Sequence, residues 1–285
     1  MKYEFIRINR SEFPVKKMCQ VLKITRSGYY KWEKKETSER EKENNMLLKR
    51  IKRIYYEHKG RYGSPRITKQ LKKEGIKCGK NRIARIMRKN DIAAKTKKRF
   101  KVTTNSKHNY RAAANLIKQD FTAARINQKW VSDITYIKTS EGWLYLAGIL
   151  DLCFKRIVGW SMGDRLTREL SIKALKQALK RRDIERGLII HSDRGVQYAC
   201  HDYVNLVAGR KLTQSMSGKG NCYDNAAMES FFKTLKTELT YWQRYKTREE
   251  AKKSIFEYIE SYYNRKRMHS SIGYMSPVEF ENSFN

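Results

Sequence analysis

Several features that would assign this sequence to familiar classes are missing. It contains no run of about 18 apolar residues and no amphipathic anchor, which argues against a membrane protein. The first stretch, MKYEFIRINRSEF, lacks the apolar core of a secretory signal, so a cytoplasmic protein is expected. No internal repeat or low-complexity segment is evident. With 285 residues and 40% hydrophobic content, the chain is predicted to form two or more domains with a real core.

Paired cysteines are also missing. The five cysteines are odd in number, widely spread and form no C-x-x-C pair. This pattern favours reduced structural thiols and argues against a zinc site. They are Cys19, Cys78, Cys153, Cys200 and Cys222.

Acidic residues are scarce, with 29 Asp and Glu against 63 Lys and Arg, which leaves a net charge of +34. A polyanionic partner is expected, and nucleic acid fits better than an anionic membrane because no anchor is present. The excess is uneven: residues 42–111 hold 24 basic and 4 acidic residues, whereas residues 126–230 hold 16 and 11. The front of the chain is therefore predicted to bind the polyanion.

Residues 1–41 form the first predicted segment. Pro14 favours a helix start, and a second short helix is expected around Tyr29 and Trp32. Two short helices with a tight turn indicate a small helix-turn-helix. A helical hairpin that only packs on its neighbour is the alternative.

Residues 42–95 are predicted to form a helix-turn-helix DNA-binding domain. Its first helix is expected from Asn45, its second to be capped by Ser64 and to end at Gly75. The third helix, KNRIARIMRKN, carries a basic face whose members are Arg82, Arg85 and Lys89. Such a face suits a helix that enters the major groove of double-stranded DNA, although each residue alone could simply be solvated.

Residues 96–125 are predicted to be a basic linker. The stretch 93–115 is basic and polar without an apolar period, so it could lie along a phosphate backbone. The composition then shifts, and residues 126–285 form the last predicted domain.

That domain begins with three consecutive strand patterns and continues with alternating helices and strands. A mixed five-stranded sheet with helices on its faces is predicted, which is an α/β fold. The predicted strands cover 129–139, 143–154, 156–164, 188–193 and 211–217, and the predicted helices cover 167–183, 198–209 and a long helix from Ala226.

Three acids stand at unusual places in this pattern. Asp133 lies inside the strand WVSDITYI, Asp193 closes the apolar run 188–190, and Glu229 lies in the first turn of the long helix, with 35 residues between it and Asp193. Carboxylates within apolar strands are costly unless a cation compensates them. The three acids therefore suggest a shared metal site.

Other residues of this region have simpler interpretations. Asp224 is expected to be the N-cap of the long helix rather than a ligand, and Asp151 and His191 to be ordinary strand residues. The Gly218 loop does not have the spacing of a P-loop, so residues 217–225 are predicted to be a mobile loop beside the site.

Together, WVSDITYI, HSDRGVQY and GNCYDNAAMESFFKTLK resemble the DDE transposase and retroviral integrase superfamily. The resemblance is closest to the second-reading-frame (OrfB) transposases of insertion-sequence family three and covers essentially the whole chain. RYGSPRI resembles their upstream helix-turn-helix, and YYNRKRMHSSIGYMSPVEF their C-terminal tail. The resemblance implies an RNase H-like integrase catalytic core and strand transfer by a polynucleotidyl transferase.

The same resemblance implies cofactors and partners. Two divalent cations, Mg²⁺ or Mn²⁺, are expected, with Asp133 bridging both and with Asp193 and Glu229 each completing one. The expected DNA is the element ends and the target, bound by a homo-oligomer. The first-reading-frame (OrfA) protein, or a fusion with it, is a further expected partner, and a bacterial, nucleoid-associated location follows.

Hard oxygen ligands suit such cations, and paired cations suit phosphodiester chemistry. Lys233 and Lys236 lie on the face of the helix that carries Glu229, so they are predicted to hold the DNA backbone. Two other functions remain open: a DNA-binding regulator with an inert nuclease-like core, and an RNase H-like nuclease that only hydrolyses.

Overall fold

The computed structural model describes residues 1–34, 38–96, 112–218 and 221–284. Contacts divide the chain into two units. Unit 1 comprises Met1–Lys59 and Gly63–Ala93, and unit 2 comprises Gly60–Tyr62 and Ala94–Asn285. The finer four-part division stays a prediction. Most of the linker, including Lys97, lies outside the described residues.

Unit 1 begins with three short helices: α1 (Lys2–Asn9), α2 (Val15–Val21) and α3 (Arg26–Glu33). The sequence patterns predicted α2 and α3, and α1 adds to them. The buried side chains Ile6, Met18, Cys19 and Tyr29 form their common core. The side chain of Thr25 caps α3 by accepting the Gly28 N–H at 3.1 Å.

The rest of unit 1 consists of α4 (Glu39–Glu57), α5 (Ser64–Lys73) and α6 (Lys80–Lys89). The predicted start of α4 at Asn45 was wrong, because Ser38 caps the helix and acidic residues follow in its first turn. The predicted cap Ser64 was also wrong. Gly63 is the N-cap, and Ser64 is already helical without a side-chain cap bond. Gly75, at φ +79°, follows the end of α5 as expected.

Unit 2 is built on one five-stranded sheet, in the order β3-β2-β1-β4-β5. β1 pairs antiparallel with β2, as does β2 with β3, whereas β1 and β4 and then β4 and β5 are parallel. The predicted mixed sheet is confirmed. Its strands are β1 (Lys129–Thr139), β2 (Gly142–Asp151), β3 (Arg156–Gly163), β4 (Ile189–Ser192) and β5 (Thr213–Met216).

Helices cover both faces of this sheet. One face packs against α7 (Arg168–Arg181), α8 (Val196–Ala199) and α9 (His201–Gly209) through a core that includes Trp130 and Ile149. The predicted helix 198–209 is therefore two helices. The other face carries α10 (Ala226–Glu238), and α11 (Arg248–Phe256) also contacts β1 and β2.

Shorter elements complete unit 2. Turns of 3-10 helix occur at Cys222–Asn225, Thr240–Trp242 and Ser270–Ile272, a π-helix at Glu257–Tyr263 and α12 at Pro277–Asn282. Across the parts of the chain that the structure describes, no helix combines the length and apolar character needed to cross a membrane.

Candidate active site on the central strands

The parallel pairing of β1 and β4 brings two of the three acids together. Ser132 is in register with Ser192, so the next residues, Asp133 and Asp193, are neighbours across the strands. Adjacent strands lie about 4.8 Å apart. Asp133 lies within β1, whereas Asp193 is the first residue after β4. Two carboxylates separated by about 60 positions in sequence thus face one region of the sheet.

A backbone N–H group one or two residues after each aspartate donates a hydrogen bond to its carboxylate. The Ile134 N–H donates to Asp133 Oδ1 at 2.7 Å, and the Gly195 N–H donates to Asp193 Oδ1 at 2.9 Å. Both aspartates are half-buried. Neither is shielded as fully as an ordinary core residue, so both carboxylates remain within reach of a ligand.

Glu229 reaches the same region because α10 packs closely on the sheet. Gly148 on β2 is the cross-strand partner of Asp133. A Cβ atom at Gly148 would lie 2.4 Å from the Cε atom of Met228, the residue before Glu229. A side chain at this position would push the first turn of α10 away from the strand. Glycine therefore lets α10 bring Glu229 towards Asp133.

Electrostatics link these groups. Burial, and then the charge of Asp193 and to a smaller degree of Glu229, raises the pKa of Asp133 well above its ordinary value. Partial burial also raises the pKa of Glu229. Burial lowers the pKa of Lys236, while the charge of Asp133 opposes that shift. Negative charge therefore accumulates at this point of the sheet, and the charge of Lys236 offsets part of it.

The donor chemistry fits a divalent cation, because carboxylate oxygens are the ligands that Mg²⁺ prefers. A cation would also relieve the repulsion that raises the pKa of Asp133. Within residues 1–34, 38–96, 112–218 and 221–284, however, no three His, Cys, Asp or Glu side chains converge closely enough to hold a metal ion. The three acids Asp133, Asp193 and Glu229 therefore interact electrostatically, but their carboxylates do not converge as a set of metal ligands in this structure.

Asp151 is a different kind of buried acid. It is fully buried and accepts the backbone N–H groups of Asn127 at 2.9 Å and Cys153 at 2.8 Å, as well as Trp130 Nε1 at 3.2 Å. Its cross-strand partner is Trp130, three residues before Asp133. Asp151 is therefore a structural residue, in keeping with the sequence interpretation.

The prediction that Asp224 caps α10 was wrong. A 3-10 turn precedes the helix, so Asn225 is the N-cap and Asp224 lies one residue too early. Its buried carboxylate instead holds the loop together, because it accepts the N–H of Gly218 at 2.7 Å and the side-chain amides of Asn115 and Asn221, each at 2.9 Å. The predicted mobile loop falls partly on residues 219–220, outside the described residues.

His191 is an ordinary strand residue. It is fully buried, with Nδ1 2.8 Å from Ser215 Oγ and Nε2 3.3 Å from Ser217 Oγ. Burial lowers the pKa of His191 to about 4, so the ring is neutral at pH 7. It therefore contributes no charge to the site.

The predicted DNA-contacting residues have different surroundings. On α6, Arg85 and Lys89 are exposed, whereas Arg82 is half-buried, with Nη2 2.7 Å from Glu43 Oε2 and Nε donating to Asn44 Oδ1 at 2.8 Å. On α10, Lys233 is exposed, and Lys236 Nζ lies 4.9 Å from the ring centroid of Tyr136. Their contact with DNA stays a prediction.

Sequence reasoning missed a buried ionic cluster at the far end of α10. Glu238 pairs there with Arg267 and Tyr258, and Arg61 donates to its backbone carbonyl. One signal was available: Glu238 falls on the same stripe as the buried residues Leu235 and Leu239. A carboxylate on an apolar stripe requires a buried partner.

Comparison with known proteins agrees with this architecture. The HTH-like domain family matches residues 42–100, and two integrase core domain families match residues 123–222 and 229–284. Among solved structures, the catalytic core domain of BIV integrase aligns with a TM-score of 0.43 and 20% identity, over 55% of this chain and 96% of that chain. The family matches place this chain among proteins that combine an HTH-like domain with an integrase core.

Curated relatives give the family itself. Transposase InsF for insertion sequence IS3A of Escherichia coli strain K12 is 42% identical over 99% of both chains. An insertion element IS600 protein of 31 kDa from Shigella sonnei is 46% identical over 94% of this chain and 98% of that protein. The chain belongs to the family of InsF-type transposases of IS3 insertion sequences, which confirms the resemblance.

Proposed function

We propose that this transposase cleaves and joins DNA at insertion-sequence ends with Asp133, Asp193 and Glu229 as its catalytic, metal-holding acids. The observation that carries the proposal is the parallel register of β1 and β4, which makes Asp133 and Asp193 neighbours. The raised pKa of Asp133, with Asp193 as its largest charged cause, adds the expected signature of a site that is completed by a cation.

The acids and the lysines of this site have different roles in the proposal. Asp133, on which the charges of both other acids act, would hold two cations together with Asp193 and Glu229. Two bound divalent ions, Mg²⁺ or Mn²⁺, would supply an activated oxygen nucleophile and charge neutralisation at the leaving oxygen. Lys233 and Lys236 hold the DNA backbone over the acids, and Lys236 also offsets part of the charge of Asp133.

A strand-transfer assay tests the proposal with the terminal DNA of the element, target DNA and Mg²⁺. Asp133→Asn, Asp193→Asn and Glu229→Gln are each expected to abolish cleavage and joining while end binding stays near wild type, because amides keep the shape and lose the charge. Asp202→Asn is the matched control, since Asp202 is exposed and paired with Arg168. Cleavage at the wild-type rate by one of the three variants removes that acid from the site.

The products also separate the other functions. Joined DNA indicates a transposase, nicked DNA alone a hydrolytic nuclease, and binding without cleavage a regulator. The assay is to be run with and without the first-frame (OrfA) protein, whose participation stays a prediction, as does homo-oligomer formation on DNA.

We also propose that α6 is the helix that recognises element ends, with Arg82, Arg85 and Lys89 facing DNA. Arg82→Ala and Arg85→Ala should each weaken end binding by about 1–3 kcal/mol and relax specificity, as loss of a base contact does. Lys97→Ala should weaken binding equally on all sequences and lower the salt slope by about one. Anisotropy titrations on end and random DNA measure both. Equal losses on the two DNAs for both Arg variants would disprove the assignment.

A further inference from the structure

The two faces of α10 have opposite surroundings. Lys236 follows Glu229 by seven residues, which is nearly two full turns, so both lie on the face towards the acids. Glu238 follows Glu229 by nine residues, or two and a half turns, and therefore lies on the opposite face. Glu238 is only 6% exposed. The contacts of Glu238 therefore act on the face of α10 opposite to the one that presents Glu229.

Three side chains hydrogen-bond to Glu238: those of Arg267, Tyr258 and Arg61. We call these four residues the Glu238 latch. Arg267 Nε lies 3.0 Å from both carboxylate oxygens, and its Nη2 lies 2.8 Å from Oε1. The Tyr258 hydroxyl donates to Oε2 at 2.9 Å. Arg61 Nε donates to the backbone carbonyl of Glu238 at 3.3 Å. Both the side chain and the backbone of the last residue of α10 are therefore bound.

An irregular helix supplies the tyrosines of this region. In the π-helix Glu257–Tyr263, the Asn264 N–H bonds back five residues to the carbonyl of Ile259 at 3.1 Å. The guanidinium of Arg61 lies 4.1 Å from the ring centroid of Tyr262, and that of Arg267 lies 5.6 Å from that of Tyr263. Single π-turns are rare and frequently accompany functional sites. The C-terminal tail thus adopts an irregular helix in the region where it contacts the end of α10.

A buried ion pair is a poor means of stabilising a fold. Desolvation of the two charges offsets their attraction, and apolar residues of similar volume often serve as well. The planar, bidentate contact of the Arg267 guanidinium instead fixes the orientation of the Glu238 carboxylate. The latch is therefore better suited to orienting α10 than to adding stability.

We propose that Glu238, Arg267 and Tyr258 are positioning residues that fix the rotation of α10 and so keep Glu229 directed at Asp133 and Asp193. This inference rests on the proposed function, since it assumes that the three acids act together. Loosening the latch should widen the space among the acids and weaken cation binding without affecting unit 1.

The test replaces the charges by apolar groups of similar size in the full chain, with Glu238→Leu and Arg267→Met combined. The thermal unfolding midpoint should stay within a few degrees of wild type, and end binding should be unchanged. Strand transfer at fixed Mg²⁺ should fall about tenfold to a hundredfold, the loss expected for a displacement of about 1 Å, and the Mg²⁺ concentration for half-maximal rate should rise.

A matched control uses another buried Arg–Glu pair of unit 2. Arg182 and Glu281 pair between the end of α7 and α12, with side chains about one tenth exposed. Glu281→Leu with Arg182→Met should leave the Mg²⁺ requirement unchanged. A folded Glu238/Arg267 variant with wild-type rate and wild-type Mg²⁺ requirement overturns the proposal. Loss of rate at an unchanged Mg²⁺ requirement overturns it as well.

Two further measurements keep the proposal testable. If the double variant does not fold, Tyr258→Phe removes one hydroxyl and should raise the Mg²⁺ requirement about twofold to tenfold, the size expected for the loss of one typical intramolecular hydrogen bond. Mn²⁺ binding, followed by electron paramagnetic resonance without DNA, should weaken in the same variants. If wild type binds Mn²⁺ but joins no DNA, the proposed function is wrong. The comparison of Mn²⁺ binding between wild type and the variants then still tests whether the Glu238 latch positions Glu229.

Discussion

Two regions of the same sheet bury acids, and they do so in opposite ways. At the end of β2, Asp151 is surrounded by N–H donors, three of which bond to its carboxylate. In the middle of β1, Asp133 has one N–H donor and faces another carboxylate, that of Asp193. The contrast teaches that burial alone does not identify a functional acid. The number of surrounding N–H donors distinguishes a carboxylate that stabilises the fold from one that is a candidate cation ligand.

The largest effect on stability is expected at the structural acid. Asp151→Ala leaves buried N–H groups without an acceptor, and each such group costs about 1–3 kcal/mol. A loss of roughly 3 kcal/mol or more in the free energy of unfolding is therefore expected in urea denaturation, independent of Mg²⁺. Asp151→Asn, which keeps one acceptor oxygen, should lose less. A loss below about 1 kcal/mol for the Ala variant would contradict this account of Asp151.

Replacing Asp133, the acid proposed to hold a cation, should have the opposite effect on stability. Asp133→Asn is expected to stabilise the metal-free protein at pH 7, because the folded state raises the pKa of Asp133 and so disfavours its charged form. Each unit of pKa difference corresponds to about 1.4 kcal/mol. Urea denaturation in the presence of a chelator measures this gain.

The pH dependence has a definite sign. The folded state binds the Asp133 proton more tightly than the unfolded state, so this group favours folding below the ordinary Asp pKa. Stability should fall as pH rises from that value through the raised pKa of Asp133. Asp133→Asn should remove this part of the slope, and Mg²⁺ should stabilise wild type more than the variant. An equal Mg²⁺ effect on both proteins would contradict a role of Asp133 in holding the cation.

The smallest effects are expected from the lysines of α10. Lys233→Ala and Lys236→Ala should each lower the salt slope of DNA binding by about one and weaken productive binding several-fold. Lys236 should matter more for DNA binding, since it is half-buried and lies 4.9 Å from the ring centroid of Tyr136, whereas Lys233 is exposed. In the double variant the Mg²⁺ optimum should not move. A strong shift in the metal requirement at constant DNA affinity would mean that this helix face has another task.

Local patterns predicted much of the fold because they act over a few residues. The β-branched run 129–139 predicted β1 with the bounds that the structure has, and the periodic run from Ala226 predicted the start of α10. Helix starts were less predictable, as Ser64 and Asp224 show. Each stands one residue from the observed N-cap, and neither helix has a side-chain cap bond. The competition among neighbouring capping residues depends on the turn before the helix, which sequence alone does not specify.

By itself, the sequence determined the class of the protein, the basic front of the chain, the five strands and the three acids proposed to act. Only the tertiary structure decided that Asp133 and Asp193 are neighbours, since this depends on the register of two strands about 60 residues apart. It also decided that Arg61 and Tyr62, which the sequence assigns to the helix-turn-helix, belong to unit 2. There the Tyr62 hydroxyl bonds to the backbone of Lys266 and Met268. Periodicity and propensity report local preferences, whereas strand register and buried ion pairs arise from groups that meet only when the chain folds.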